Sequence, residues 1–515
     1  MMPLQVDSRR SADAPIVQPG RNCWRLATAH RVAVLVDGAA YFRAFAAAAA
    51  LARSSIFIIG WDFHAGVCLQ PDSAETIGVF LQRLVAERPE LRVYVLDWDF
   101  SLIYALERQF FPRLRLGRWT HPHFRFQLDA QHPAGAAQHQ KIVVVDDAVA
   151  FVGGFDFGPC RWDDSTHRPR DARRIDPDGR SYGPFHDVMV AVDGTAARAL
   201  GQLARERWRH ATGELVSPVV AAGDVWPRDV EPDLREVEVA IARTLPTFNG
   251  RPEVREIEQL YLDAIAAAHH TLYFENQYLT SEAIGEALMR RLQEADGPEV
   301  VIVQPRVCQG WLEQTAMGVL RARLMRRLLA ADRYRRLRVY YPDVAGLEED
   351  RLNVHAKVLV VDDRLLRVGS ANLNNRSMGV DSECDLAIDA TDDTHRRGAI
   401  AAIRDRLVAE HVGQSPQCVA AEIAARGSLI AAIEALSTAQ RGLRLLDSEV
   451  EAWLDGVVPH AEWLDPDRPL GAADEPIAGR RERRRQRARR AGSRHPSLLA
   501  ASLAGLIGAV TRWWQ

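Results

Sequence analysis

HQKIVVVDDAVAFVGGFDF, residues 139–157, and HAKVLVVDDRLLRVGSANLNNRS, residues 355–377, align without a gap. His139, Lys141, Asp146 and Gly153 fall opposite His355, Lys357, Asp362 and Gly369, each pair 216 residues apart. The likeness continues upstream, where AAYFRAFAAAAALARSSIFIIGWDF (39–63) resembles IEQLYLDAIAAAHHTLYFENQYL (257–279). Trp61 precedes His139 by 78 residues, as Gln277 precedes His355. A spacing kept over such a distance identifies two copies of one structural unit.

Each copy opens with an alanine- and leucine-rich stretch of helical period (Tyr41 to Ala52; Ile257 to Ala268) and continues into a short apolar strand (Ile56 to Ile59; Thr271 to Phe274). Further strands are expected at Leu91 to Leu96, Val300 to Val303 and Val339 to Tyr341. The motif reads as strand, Asp-Asp turn, strand: IVVV then AFVG, and VLVV then LRVG. Helices alternating with strands give an α/β fold with a sheet covered by helices. Side chains alternate faces along a strand, so His139 and Lys141 are expected on one side, as are His355 and Lys357.

A chain of 515 residues exceeds what one core usually serves, and 47% apolar with 26% charged residues excludes a disordered or fibrous protein. The pattern predicts an N-terminal extension (1–30), two similar domains (31–215 and 236–413), a linker (216–235), a helical extension (414–475) and a basic tail (476–515). Asp163 to Gly183, rich in Arg, Asp and Pro, reads as a surface insertion. A net charge of −3 gives no overall pull toward nucleic acid, and no nucleic-acid partner is expected. The six cysteines stand singly, with no CxxC pair and no histidine cluster at zinc spacing, as for buried thiols in a reducing compartment. The first thirty residues hold no apolar run, so cytoplasmic retention is expected.

Of the 65 lysine and arginine residues only Lys141 and Lys357 are lysine, and they occupy matching points of the two motifs. Opening a phosphodiester without a metal needs a nucleophile, an acid for the leaving alcohol and fixed positive charge around the phosphoryl oxygens. Two histidines divide the first two tasks, while Lys141, Lys357 and the Asn372 amide supply the third. Gly153, Gly154 and Gly369 are expected to allow close backbone approach to a bound phosphate, with Ser370 beside it.

The doubled HxKx4Dx6G pattern resembles the two HKD motifs of the phospholipase D superfamily, with the closest match to phosphatidylcholine-cleaving enzymes. GWDF, GGFDFG, FHDVMV, FENQYL and the second motif through DSECD carry the resemblance across roughly Arg31 to Gly413. It implies two domains about a pseudo-twofold axis with both histidines in one cleft, no metal, no cofactor, a phospholipid substrate, and water or an alcohol as acceptor. It further implies that Glu383 orients His139 and Asp187 orients His355, that His139 attacks phosphorus, and that His355 does the acid/base work. Asp146 and Asp362 are expected to brace their turns through local hydrogen bonds. The first motif departs from the second in having Gly154 and Asp156 where the second has Ser370 and Asn372. A carboxylate there would repel phosphate unless neutralised.

Arg480 to Arg494 carries nine arginines and one acid, followed by SLLAASLAGLIGAV, Trp513 and Trp514. Leu499, Leu503, Leu506, Ile507 and Val510 form one helical stripe too short to span a bilayer, as for a helix lying on an anionic membrane surface. A monomer, peripheral on the inner face of the membrane, is expected.

Overall fold

The computed structural model describes residues 14–99, 121–219, 223–307, 311–347, 351–391, 393–447 and 464–469. These belong to one compact unit, Met1–Leu470; the second unit, Gly471–Gln515, holds the basic tail and its apolar stripe and lies outside the described residues. The first half of the chain contributes strands β1 (Arg25–Val36), β2 (Ser55–Ile59), β3 (Arg92–Trp98), β4 (Phe124–Asp129), β5 (Ile142–Val145), β6 (Val149–Gly153), β7 (Phe185–His186) and β8 (Val188–Asp193). The second contributes β9 (Leu234–Leu245), β10 (Val254–Arg255), β11 (Thr271–Glu275), β12 (Glu299–Val303), β13 (Leu337–Val344), β14 (Asn353–Val354), β15 (Val358–Val361), β16 (Leu365–Gly369), β17 (Glu383–Asp389) and β18 (Arg441–Leu445).

One mixed sheet carries all of these except β7 and β14. From the central antiparallel pair β1–β9 it runs outward as β8, β6, β5, β2, β3, β4 on one side and β17, β16, β15, β11, β12, β13 on the other, with β18 outermost. The senses match step for step: antiparallel out to β2 and β11, then parallel. The sequence repeat is therefore also a repeat of strand order. β5 and β15 are buried along their whole length, which is why they read as unbroken IVVV and VLVV rather than alternating.

Helices α1 (Asp37–Leu51), α2 (Ile77–Glu87), α3 (Gly194–Thr212), α4 (Glu256–Ala267), α5 (Glu282–Leu292), α6 (Trp311–Ala331), α7 (Asn375–Gly379), α8 (Thr394–Val412), α9 (Pro416–Arg426) and α10 (Leu429–Leu436) flank the sheet. One core cluster draws on both halves, joining Val34, Val152 and Leu200 with Val239, Leu386 and Leu407. Among the described residues no helix is long and apolar enough to cross a membrane.

Two expectations need correction. β5 begins at Ile142 and β15 at Val358, so His139, Lys141, His355 and Lys357 lie in the lead-in segments and not in the strands. Those segments pair with the opposite half: Gln138 bridges to Ser382, His139 N donates to Ser382 O (3.0 Å), β14 runs parallel to β7, and His355 N donates to His186 O (2.8 Å). The segment Asp163 to Gly183 is irregular and mostly exposed, as expected, but anchors itself through the buried Asp163, His167 and Arg174.

The second correction concerns Asp146 and Asp362. Both sit at positive φ, as do Asp147 and Asp363, which gives the turn its left-handed pair and suits Asp. Their carboxylates, however, reach across about 90 residues rather than bonding locally. Asp146 accepts the amides of Arg53, Ser54 and Ser55 (2.7–2.8 Å), and Asp362 those of His269, His270 and Thr271 (2.5–2.7 Å). Each ties its hairpin to the link between helix and strand (α1–β2; α4–β11), and none of these bonds involves a motif histidine.

Candidate active site

Cross-half pairing brings each motif histidine to a carboxylate of the other half. His139 Nδ1 lies 3.0 Å from both oxygens of Glu383, at the start of β17, and His355 Nδ1 lies 2.6 Å from Asp187 Oδ2, between β7 and β8. A carboxylate on Nδ1 fixes that nitrogen as the protonated one and leaves Nε2 as the reactive atom. Glu383 is in turn held by the hydroxyls of Ser370 (2.5 Å) and Ser377 (2.6 Å), and Asp187 Oδ1 accepts the Val188 amide (2.8 Å). Both acids are fully buried, and burial pushes Glu383 up to about 7 and Asp187 up to about 6.

The electrostatics join the two halves. Burial first, then Lys141 and Lys357, hold His139 well below the usual histidine range. Burial, Lys357, Arg161, Lys141 and His139 itself do the same for His355. Lys141 Nζ pairs with Asp156 Oδ2 at 3.1 Å and donates to His139 O at 3.3 Å. Lys357 Nζ donates to His355 O and, at 3.4 Å, to Gln277 Oε1; burial pushes it down to about 7. Asp156, which also accepts the Trp61 amide at 2.9 Å, is thus neutralised by Lys141. The aligned residues Trp61 and Gln277 occupy related places: the Trp61 ring stands edge-on to His139 at 6.2 Å, and Gln277 accepts from Lys357.

Asn372 is 3% exposed and its Oδ1 has no hydrogen-bond partner, so one end of the amide is uncommitted. Three other expected substrate contacts have different work. Ser370 is fully buried and its hydroxyl is spent on Glu383. A Cβ on Gly154 would stand 2.0 Å from Asp187 Oδ1, and one on Gly153 would stand 2.3 Å from Val188 O. These glycines admit the neighbouring strand and the Asp187 carboxylate.

Sequence reasoning missed Arg161. Its buried Nε has no hydrogen-bond partner, its guanidinium lies 4.7 Å over the Phe185 ring, and that ring is 5.3 Å from His355. The repeat gives no signal for it, because the matching position is Ser377. Two histidines, each with Nδ1 on a carboxylate, and three cations form a set able to bind and cleave a phosphodiester.

A family model described as "Cardiolipin synthase, PLD-like domain" matches residues 261–399. Phospholipase D A of Dictyostelium discoideum is 25% identical over 469 residues, covering 75% of this chain and 36% of that protein. Phospholipase D alpha 1 of Ricinus communis is 24% identical, with 70% and 62% covered. Cardiolipin synthase A of Pseudomonas entomophila is 26% identical, with 69% and 64% covered. The chain therefore spans between about a third and two thirds of the length of these relatives. Among solved structures, a phosphatidylserine synthase from Haemophilus influenzae shares the fold at a TM-score of 0.52 and 14% identity, with 75% of this chain and 89% of that one covered. Together these matches support the phospholipase D superfamily, with residues 261–399 similar to its PLD-like domain.

Proposed function

We propose that the protein is a phospholipase D, cleaving the distal phosphodiester bond of glycerophospholipids to phosphatidic acid and a head-group alcohol, and passing the phosphatidyl group to an alcohol when one is present. The observation that carries this reading is the crossed pairing of His139 with Glu383 and His355 with Asp187. In the proposed cycle the Nε2 lone pair of His139 attacks phosphorus as the bond to the head-group oxygen breaks. The Nε2 proton of His355 passes to that oxygen. Water or an alcohol then attacks phosphorus, gives its proton to His355, and releases His139. Lys141, Lys357, Arg161 and Asn372 hold the non-bridging oxygens, and the phosphate's charge offsets the cations that otherwise keep His355 unprotonated.

A second reading, a phosphatidyltransferase of the cardiolipin synthase type, is favoured by the family model across 261–399 and the matched synthase. The basic tail is proposed to recruit the protein to an anionic cytoplasmic membrane face. The test incubates the full-length protein with phosphatidylcholine vesicles and ethanol, and separately with phosphatidylglycerol. Choline release with phosphatidylethanol formation is the expected result. Cardiolipin and free glycerol from phosphatidylglycerol, with phosphatidylcholine untouched, would overturn it in favour of the synthase.

A further inference from the structure

Next to the candidate catalytic histidines lies a second, largely buried cluster, built from four separate stretches of the chain. Asp37, His167, His186 and Glu410 present one ligand atom each, all within 4.8 Å of one another. Asp37 opens α1, His167 is a buried residue of the 163–183 insertion, His186 ends β7, and Glu410 is on α8 of the other half. His186 Nδ1 is 3.0 Å from Asp37 Oδ1 and 2.7 Å from Glu410 Oε1, while His167 Nε2 is 2.9 Å from Glu410 Oε1 and 3.8 Å from Asp37 Oδ2. Four donors around a tetrahedral zinc at about 2.0–2.1 Å stand roughly 3.3 Å apart, close to the mean of these separations.

Two further observations point to a ligand. Asp37 Oδ2 is buried, turned toward His167, and accepts no hydrogen bond. Each histidine also has its other ring nitrogen on a buried carboxylate: His167 Nδ1 on Asp163 (2.8 Å) and His186 Nε2 on Glu275 (2.8 Å). That is the outer support that ligating histidines show in metalloproteins. The supports are themselves held, Asp163 by the Phe185 amide and Arg174, and Glu275 by Tyr273 and His411.

We propose that Asp37, His167, His186 and Glu410 form a structural binding site for one divalent transition-metal cation, zinc by its donor set of two imidazoles and two carboxylates. Charge favours it: Asp37, Glu275 and Glu410 gather three carboxylates around His167 and His186, while Arg174 pairs with Asp163. A divalent ion would meet that demand and displace protons from the two imidazoles. Asp37 holds a left-handed backbone (φ 66°), and so does His167 (φ 46°), conformations that persist only where the surroundings impose them. The ion would take no part in the phosphodiester chemistry. It would brace His186, whose carbonyl accepts the His355 amide and whose neighbour Asp187 orients that histidine.

The test uses the full-length protein with Zn2+ alone, read by elemental analysis after gel filtration and by thermal melting. One tightly held zinc per chain is expected, with a melting temperature at least about 3 °C higher than that of the chelator-stripped protein. Glu410→Gln and His167→Gln should each lower zinc affinity by at least about tenfold. Co2+ offers a measurement that needs no variant: the stripped wild-type protein should develop the intense visible bands of a tetrahedral site. A wild-type protein that takes up no zinc, shows no melting shift and gives no cobalt bands would overturn the proposal and leave a cluster neutralised by protons. Undiminished zinc binding in both folded variants would overturn it equally.

Discussion

Lys141 and Lys357 are 1% and 0% exposed, and each donates to the carbonyl of the histidine two residues before it. An arginine at either place would bring a larger planar fork into an enclosed site that fits a compact ammonium. Lys141→Arg and Lys357→Arg should therefore fold, yet slow single-turnover phosphodiester cleavage by roughly two to three orders of magnitude, the cost of losing one oxyanion-stabilising donor. Near-wild-type rates in stably folded variants would show that charge alone suffices. Burial and the same cations set the pH response. Desolvation first, and then the positive neighbours, disfavour the imidazolium, so His139 and His355 keep their neutral form below the usual value of 6.5. Protonation removes the His139 lone pair, so the nucleophile of the free enzyme is lost when pH falls through that depressed value. The acid limb of the kcat/KM profile should accordingly lie below pH 6.5; a limb at or above it would contradict the electrostatic account.

At the scale of the element, the two Asp-Asp hairpins are anchored by one carboxylate each. Removing Asp146 or Asp362 leaves three backbone amides without their acceptor while touching neither histidine. Asp146→Ala and Asp362→Ala should each cost roughly 2–4 kcal/mol of stability in a denaturant melt while kcat of the folded protein stays within about twofold. A large drop in kcat without a loss of stability would return these residues to the chemistry. The hairpins were legible from sequence because turn chemistry and apolar runs are local signals, and α1, α4, β2 and β11 lie within a few residues of their expected places. The partners of the motif segments were not legible. Gln138 with Ser382 and Asn353 with Phe185 pair across the halves through backbone atoms, which carry no residue identity. Arg161 and the His167–His186–Glu410 cluster escaped for a related reason: their members are far apart in sequence and unmatched by the repeat.

Over the whole molecule the two copies share one sheet, joined at β1 and β9, and a core that draws on both halves. Neither half supplies a complete set of groups, since each histidine depends on the other half for the acid on its Nδ1. One site assembled from two incomplete halves is the central claim, and it sets a pattern of losses that two independent sites could not produce. The direct measurement is kcat/KM on a soluble phosphodiester for His139→Asn, His355→Asn and the double variant, each checked for wild-type folding by thermal melting. The account predicts that each single variant keeps at most a few per cent of activity, roughly 10³-fold or more below wild type at full effect, and that the double variant is no worse than either single. About half the activity in each single variant, abolished only in the double, would contradict it.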